Sequence, residues 1–148
     1  MKLTFKNILH NSNEYWKSVE LRDQVLRKPL GLAFTEEELN LEYKQFHFAC
    51  FLNEQIIGCF IFNKSTENKL KMRQVCIKNE YHKKGIGFQM MLFAEKWAKE
   101  NHYNEIYCHA RNNALAFYQN LNYQIEGDYF EEVGLKHYKL VKSLQNRY

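Results

Sequence analysis

The sequence predicts a single mixed α/β domain over residues 1–148, built on a largely antiparallel sheet. Three observations carry that reading. Taken coarsely, the segments run in the order β-α-α-β-β-β-α-β-α-β-β, a mixture that one sheet with packed helices accommodates. A strand, a basic glycine turn and a long amphipathic helix follow one another between Met72 and Trp97. Two apolar runs, Phe46 to Leu52 and Gln55 to Phe62, are separated only by Asn53-Glu54, a hairpin signature. A chain of 148 residues suits one domain with a sizeable core. It carries no repeat, linker or low-complexity segment.

Each element has a local reason. Leu3 to Leu9 alternates apolar and polar residues and reads as a first strand. Asn11-Ser12-Asn13 offers a cap for an amphipathic helix through Arg27, with Trp16, Val19, Val25 and Leu26 among its charges. Pro29 and Gly31 end it. Thr35-Glu36-Glu37-Glu38 is a capping-box pattern that opens a second, short helix, its acid run being a solvated helix start. Gly58, inside the second hairpin strand, marks a bulge. Ser65 to Lys69 reads as a polar loop before a strand at Lys71 to Ile77. The long helix repeats Ile86, Met90, Phe93, Ala94 and Trp97 at helical spacing and stops at Asn101-His102. A short strand follows at Glu105 to His109. Asn112 or Asn113 is expected to cap a helix from Ala114 to Asn120. Tyr123 to Phe130 and Lys136 to Lys142 read as a final hairpin around Glu131 to Gly134, and Gln145 to Tyr148 as a frayed tail.

The formal net charge is +4. That mild excess suits an anionic ligand, but the lysines form no stripe, so no nucleic-acid partner is expected. No apolar run reaches membrane-spanning length, and Met1 to Lys6 lacks a signal-peptide core. A soluble, cytoplasmic protein without a membrane partner is the expectation. Cys50, Cys59, Cys76 and Cys108 form no Cys-x-x-Cys pair and sit in apolar runs, as buried reduced thiols do. Four of them would confound a thiol-detecting assay. His102, Cys108 and His109 match no zinc spacing, and no metal is expected.

The chemistry concentrates in His82-Lys83-Lys84-Gly85-Ile86-Gly87. The first amides of a helix lack internal partners, and the helix dipole adds partial positive charge there. Gly85 and Gly87 carry no Cβ, so an anion can approach the backbone. Lys78, His82, Lys83 and Lys84 add charge, and a pyrophosphate is the natural guest. A dinucleotide fingerprint wants a third glycine where Met90 stands. A nucleoside-triphosphate loop wants Lys then Ser or Thr where Phe88 and Gln89 stand.

This turn resembles the Gln/Arg-x-x-Gly-x-Gly/Ala turn of the GNAT superfamily of acetyl-CoA-dependent acyltransferases. Ala114-Leu115-Ala116-Phe117-Tyr118-Gln119-Asn120-Leu121-Asn122-Tyr123 resembles that superfamily's A-x-x-F/L-Y-x-x-x-G-F block, in the same order along the chain. Tyr129 to His137 is similar to a GNAT subgroup ending in F-x-E-x-G-I-x-H, whose acceptors are mostly unassigned. Two positions depart: His82 replaces the Gln or Arg, and Asn122 replaces a glycine. Asn is the next-best residue for a left-handed turn.

The resemblance implies a twisted, mostly antiparallel sheet splayed between its fourth and fifth strands, with helices on both faces. It implies acetyl-CoA as cosubstrate, no metal, a small-molecule amine as acceptor, and direct attack in a ternary complex by a monomer or homodimer. Lys83 to Phe88 would hold the pyrophosphate, with Lys83 and Lys84 near phosphates, and His82, Asn112 and Asn113 near the cofactor. Cys76 and Ile77 would supply backbone donors to the oxyanion and line the cofactor. Tyr118 would protonate the leaving thiolate. The general base is open: His109 and His137 are candidates, Glu132 a weaker one, and water another. Tyr15, Trp16, Arg22, Arg27 and Tyr43 could line an acceptor pocket, with Arg22 and Arg27 meeting an acidic acceptor. The alternative function is a non-catalytic acyl-CoA binding or sensing module.

Overall fold

The computed structural model describes residues 2–144; the expected frayed tail at 145–148 lies outside the described residues. The strands are β1 (Leu3–Ile8), β2 (Phe46–Leu52), β3 (Gln55–Thr66), β4 (Lys69–Ile77), β5 (Glu105–Arg111), β6 (Gln124–Ile125), β7 (Phe130–Glu132) and β8 (Leu135–Ser143). The helices are α1 (Asn13–Arg22), α2 (Glu36–Leu41), α3 (Ile86–Glu100) and α4 (Leu115–Gln119). The strands hydrogen-bond in the order β1-β2-β3-β4-β5-β8-β6, with β7 also on β8. Strands β4 and β5 run parallel, whereas β1–β2, β2–β3, β5–β8, β6–β8 and β7–β8 are antiparallel. The mixed, mostly antiparallel α/β architecture is the one the sequence predicts.

The described chain falls into two compact units, residues 2–63 with 74–93 and residues 64–73 with 94–144. In the first unit the β2–β3 register sets Phe48 opposite Phe60 and Ala49 opposite Cys59, so the two pairs face opposite ways. On one face Phe48 stacks on Phe60 at 4.7 Å between ring centres and meets Phe93 of α3 at 5.9 Å. On the other, Leu21 of α1 packs with Cys59 and Cys76. Helices therefore cover both faces of this sheet. Ser12 caps α1 by accepting from the Tyr15 amide, and Thr35 caps α2 by accepting from Glu38. Beyond Arg22 the first helix widens into a π-helical turn, Asp23–Arg27, before Gly31 takes a left-handed φ of 70°.

The register slips between Cys50 and Phe51, skipping Ile57 next to Gly58. That is the bulge the glycine signals. A Cβ on Gly58 would lie 2.8 Å from Ile77 Cδ1 and 3.2 Å from the Cys76 carbonyl, so the glycine admits the end of β4.

In the second unit, β4 and β5 pair from Lys69↔Glu105 to Met72↔Cys108, and β5 continues to Arg111 against β8. The polar loop expected from Ser65 to Lys69 shrinks to a two-residue turn at Glu67-Asn68, because strand pairing extends through both flanks. The final hairpin is tighter and later than expected. Glu132 pairs Leu135 across Val133-Gly134, both at positive φ (48° and 73°), a two-residue turn whose twist suits flanking strands. Asn122 takes φ 70°, the left-handed turn expected of it.

Candidate active site

The basic glycine turn is built from the end of β4. A tight turn at Asn79–Tyr81 follows the strand, and His82 Nε2 donates to the Ile77 carbonyl at 2.7 Å. The imidazole thus fastens the turn to the strand it leaves. Lys83 (φ 61°) and Gly85 (φ 77°) are left-handed, and the space where a Gly85 Cβ would stand holds nothing within 4 Å. Residues 82–85 are exposed, and Phe88 is half-exposed. Gln89 donates to the Gly85 carbonyl, closing the first helical turn. The amides of Ile86, Gly87 and Phe88 precede that bond and have no carbonyl four residues back within α3. Two bare glycines and an open first turn are what an anion needs here.

Cys76 and Ile77 end β4 just after an irregularity the sequence does not signal. Gln74 adopts φ 54° in mid-strand, and its buried Oε1 has no hydrogen-bond partner among the described residues. A left-handed residue re-aims the strand beyond it. Glutamine has no special liking for this conformation, so periodicity cannot reveal it. The Cys76 thiol lies 3.4 Å from Cys59 Sγ. The Cys59 hydrogen bond and then burial push it far up, so the thiol itself is no nucleophile.

Tyr118 is carried by α4 and is buried. Its ring packs edge-on against Phe117 (5.1 Å) and Tyr123 (5.6 Å). Burial, and then the Cys108 thiol beside it, raise the phenol well above its ordinary range. It is therefore fully protonated at neutral pH, a donor rather than a facile acid. Asn112 and Asn113 do not cap α4. They form a tight turn with Ala114, and Ala114 takes the cap position without a side-chain bond. A tight turn needs only i to i+3 backbone bonds and leaves the two amides out of the cap. Instead they line a small open pocket with Arg111, Leu135 and Lys136.

The registers of β5, β7 and β8 bring three dispersed residues together. His109 Nδ1 lies 3.7 Å, and His137 Nε2 3.8 Å, from Glu132 Oε2. His137 Nδ1 faces the Leu135 carbonyl at 2.9 Å and donates to it. The His109 ring meets Phe130 edge-on at 4.9 Å. Burial and then the Lys71 charge hold His109 below the ordinary histidine range, against the opposing pull of Glu132.

The N-terminal candidates mostly turn inward. Arg22 is buried and grips Glu42 with two hydrogen bonds of 3.1 and 3.0 Å, and the Tyr15 hydroxyl donates to the same carboxylate at 2.7 Å. Arg22 is thus engaged and unavailable to an acceptor. Arg27 pairs with Glu38 at 3.3 Å and covers the Phe34 ring. Trp16 and Tyr43 stay exposed.

A family model described as "Acetyltransferase (GNAT) family" matches residues 9–123. The chain belongs to the GNAT acetyltransferase family. It is 32% identical over 122 residues to the Bacillus subtilis (strain 168) "Uncharacterized protein YyaT", covering 76% of this chain and 82% of that one. Its fold is similar to that of an acyl-CoA N-acyltransferase from Pseudomonas aeruginosa, with TM-score 0.82 and 16% identity over 95% of this chain and 99% of the other. It is also similar to an aminoglycoside 6'-N-acetyltransferase complexed with coenzyme A, with TM-score 0.81 and 12% identity over 97% and 98%. The family match spans both sequence blocks, around Gly85 and Tyr118.

Proposed function

We propose that the whole chain works as one N-acetyltransferase domain, moving an acetyl group from acetyl-CoA to the primary amine of a small molecule. The observation that carries this reading is the left-handed Lys83–Gly85 turn, which leaves the first amides of α3 open in a GNAT chain. The aminoglycoside 6'-N-acetyltransferase of similar fold is complexed with coenzyme A, which supports the same cosubstrate here. In this reading the amides of residues 83–88 hold the pyrophosphate, with Lys83 and Lys84 adding charge. His82 fixes the turn. Asn112 and Asn113 face the pantetheine arm.

The amine attacks the thioester carbonyl, whose oxygen gains charge and is met by the amides of Cys76 and Ile77. The left-handed Gln74 supports that role, because it re-aims the strand end that carries both amides. Tyr118 donates to the departing sulfur. With its phenol raised by burial, a hydrogen bond that hands over its proton only as the C–S bond breaks fits better than prior transfer.

Calorimetry with acetyl-CoA and a mass-spectrometric amine panel test the reading. The parent binds acetyl-CoA and acetylates at least one amine. Gly85→Val loses the binding, and Tyr118→Phe keeps it while losing roughly 10²-fold in turnover. Full activity of Tyr118→Phe removes the acid assignment. Tight binding without transfer to any amine replaces the enzyme by an acyl-CoA binding module.

A further inference from the structure

Resting on the acetyltransferase reading above, we propose that His109 is the general base for the acceptor amine and that Glu132 is its positioning residue. Sequence leaves both His109 and His137 as candidates; the arrangement separates them. His137 is buried, with 7% of its side chain exposed, and it spends its Nδ1 proton on the Leu135 carbonyl. Its remaining nitrogen faces Glu132. His109 keeps 28% of its side chain exposed. Its buried Nδ1 has no hydrogen-bond partner among the described residues and looks toward Glu132 at 3.7 Å, a gap that a small rotation closes. The exposed part of the ring is therefore the Nε2 end, which no described residue engages. A histidine with Nδ1–H aimed at a carboxylate presents a lone pair on Nε2, the arrangement of an oriented base.

The placement also separates the two proton transfers. Successive strand residues point to opposite faces. Cys108, beside the Tyr118 phenol, is on one face of β5, and His109 is on the other. The side chains of Cys108, which neighbours the acid, and of the base thus lie on opposite faces of one strand. The C–N bond forms as the amine attacks, and the nitrogen gives a proton to His109 Nε2. The C–S bond breaks with its electron pair on sulfur, which takes the Tyr118 proton. The imidazolium then releases its proton to water and the phenolate regains one, so the net products are the amide and free coenzyme A.

The groups facing His109 give the proposal a signature. They are Tyr107 and Arg111 on β5, Lys71 on β4, Glu132 on β7, and His137 and Lys139 on β8. Burial and Lys71 hold the ring neutral, and Glu132 opposes them. A base works only when neutral, so kcat/KM rises with pH through the value for His109. Removing Glu132 lowers that value, and removing Lys71 raises it.

The experiment records kcat/KM against pH, with the best amine of the panel, for the parent, His109→Gln, His137→Asn, Glu132→Gln and Lys71→Met, and acetyl-CoA binding for each. The expected result is that His109→Gln loses roughly 10²-fold in kcat and its acidic limb, with acetyl-CoA affinity retained. Glu132→Gln moves the limb to lower pH and Lys71→Met to higher pH, shifts that a purely structural role would not produce. Glu132→Asp restores the limb toward its parental position. Full activity of His109→Gln, a limb unmoved by both charge changes, or a limb lost only in His137→Asn overturns the assignment while leaving the acetyltransferase reading intact. A parent that binds acetyl-CoA yet acetylates nothing removes both.

Discussion

Two clusters, each gathered on one carboxylate, are opposite in construction. Arg22, Glu42 and Tyr15 form a buried knot in which one carboxylate receives three donors at 2.7 to 3.1 Å. His109, Glu132 and His137 share a carboxylate too, but at 3.7 and 3.8 Å, with Glu132 46% exposed. The first is sealed and its carboxylate is fully engaged, although the buried Arg22 Nε has no hydrogen-bond partner among the described residues, and it ties α1 to the segment after α2. The second is loose and partly exposed. A charge that is fully engaged specifies a fold, whereas one left short of its partner stays free to exchange a proton.

Breaking the sealed knot has the largest expected effect. Arg22→Ala leaves a buried carboxylate without its counter-ion and costs roughly 3–5 kcal/mol, read as a lower thermal midpoint. Replacing Arg22 by Met together with Glu42 by Leu recovers much of that loss, because no lone charge remains. Recovery that fails would make the pair more than a lock.

The same region sets an acid limit. His47 donates from Nε2 to the Glu42 carbonyl at 2.8 Å, and burial depresses its titration despite the nearby Glu42. Its unfolded value is about 6.5, so its share of stability is complete above that pH and drains away as acid protonates the unfolded chain first. Arg22, 5.8 Å-distant His10 and Glu42 also face this ring. Urea midpoints measured at pH 7 and pH 5 fall in the parent, and the fall shrinks in His47→Gln.

A smaller effect is expected at the cap of α2, the helix that delivers Glu42. Thr35→Ala removes the bond to the Glu38 amide and costs about 1 kcal/mol. The smallest belongs to the loose cluster: Glu132→Gln changes stability by no more than about 0.5 kcal/mol while altering the pH profile. A large destabilisation by Glu132→Gln would erase the contrast between the two clusters.

The sequence discloses what is local. The α3 periodicity, the Gly85 turn, the Ser12 and Thr35 caps, the Asn122 turn and the Gly58 bulge each depend on a few neighbouring residues, and each is legible there. The two GNAT blocks point to the family and its fold together. The meeting of His109, Glu132 and His137 depends on three strand registers, with β7 held to β8 by a two-residue turn, and no single stretch contains that information. Asn112 and Asn113 mislead for the opposite reason. Their residue type is right for a cap, but a tight turn intervenes and moves the helix start past them. Gln74 is silent because nothing about glutamine announces a left-handed backbone.

The state of the four thiols has a practical consequence. Cys50, Cys59, Cys76 and Cys108 are each no more than 4% exposed, and burial pushes Cys50 and Cys108 up to about 12. A chromogenic disulfide reagent added to the native chain should therefore count coenzyme A released by turnover and ignore the protein, contrary to what cysteine number alone implies. The same dye becomes a denaturation gauge in urea, because each molecule that opens adds four sulfhydryls to the signal at once.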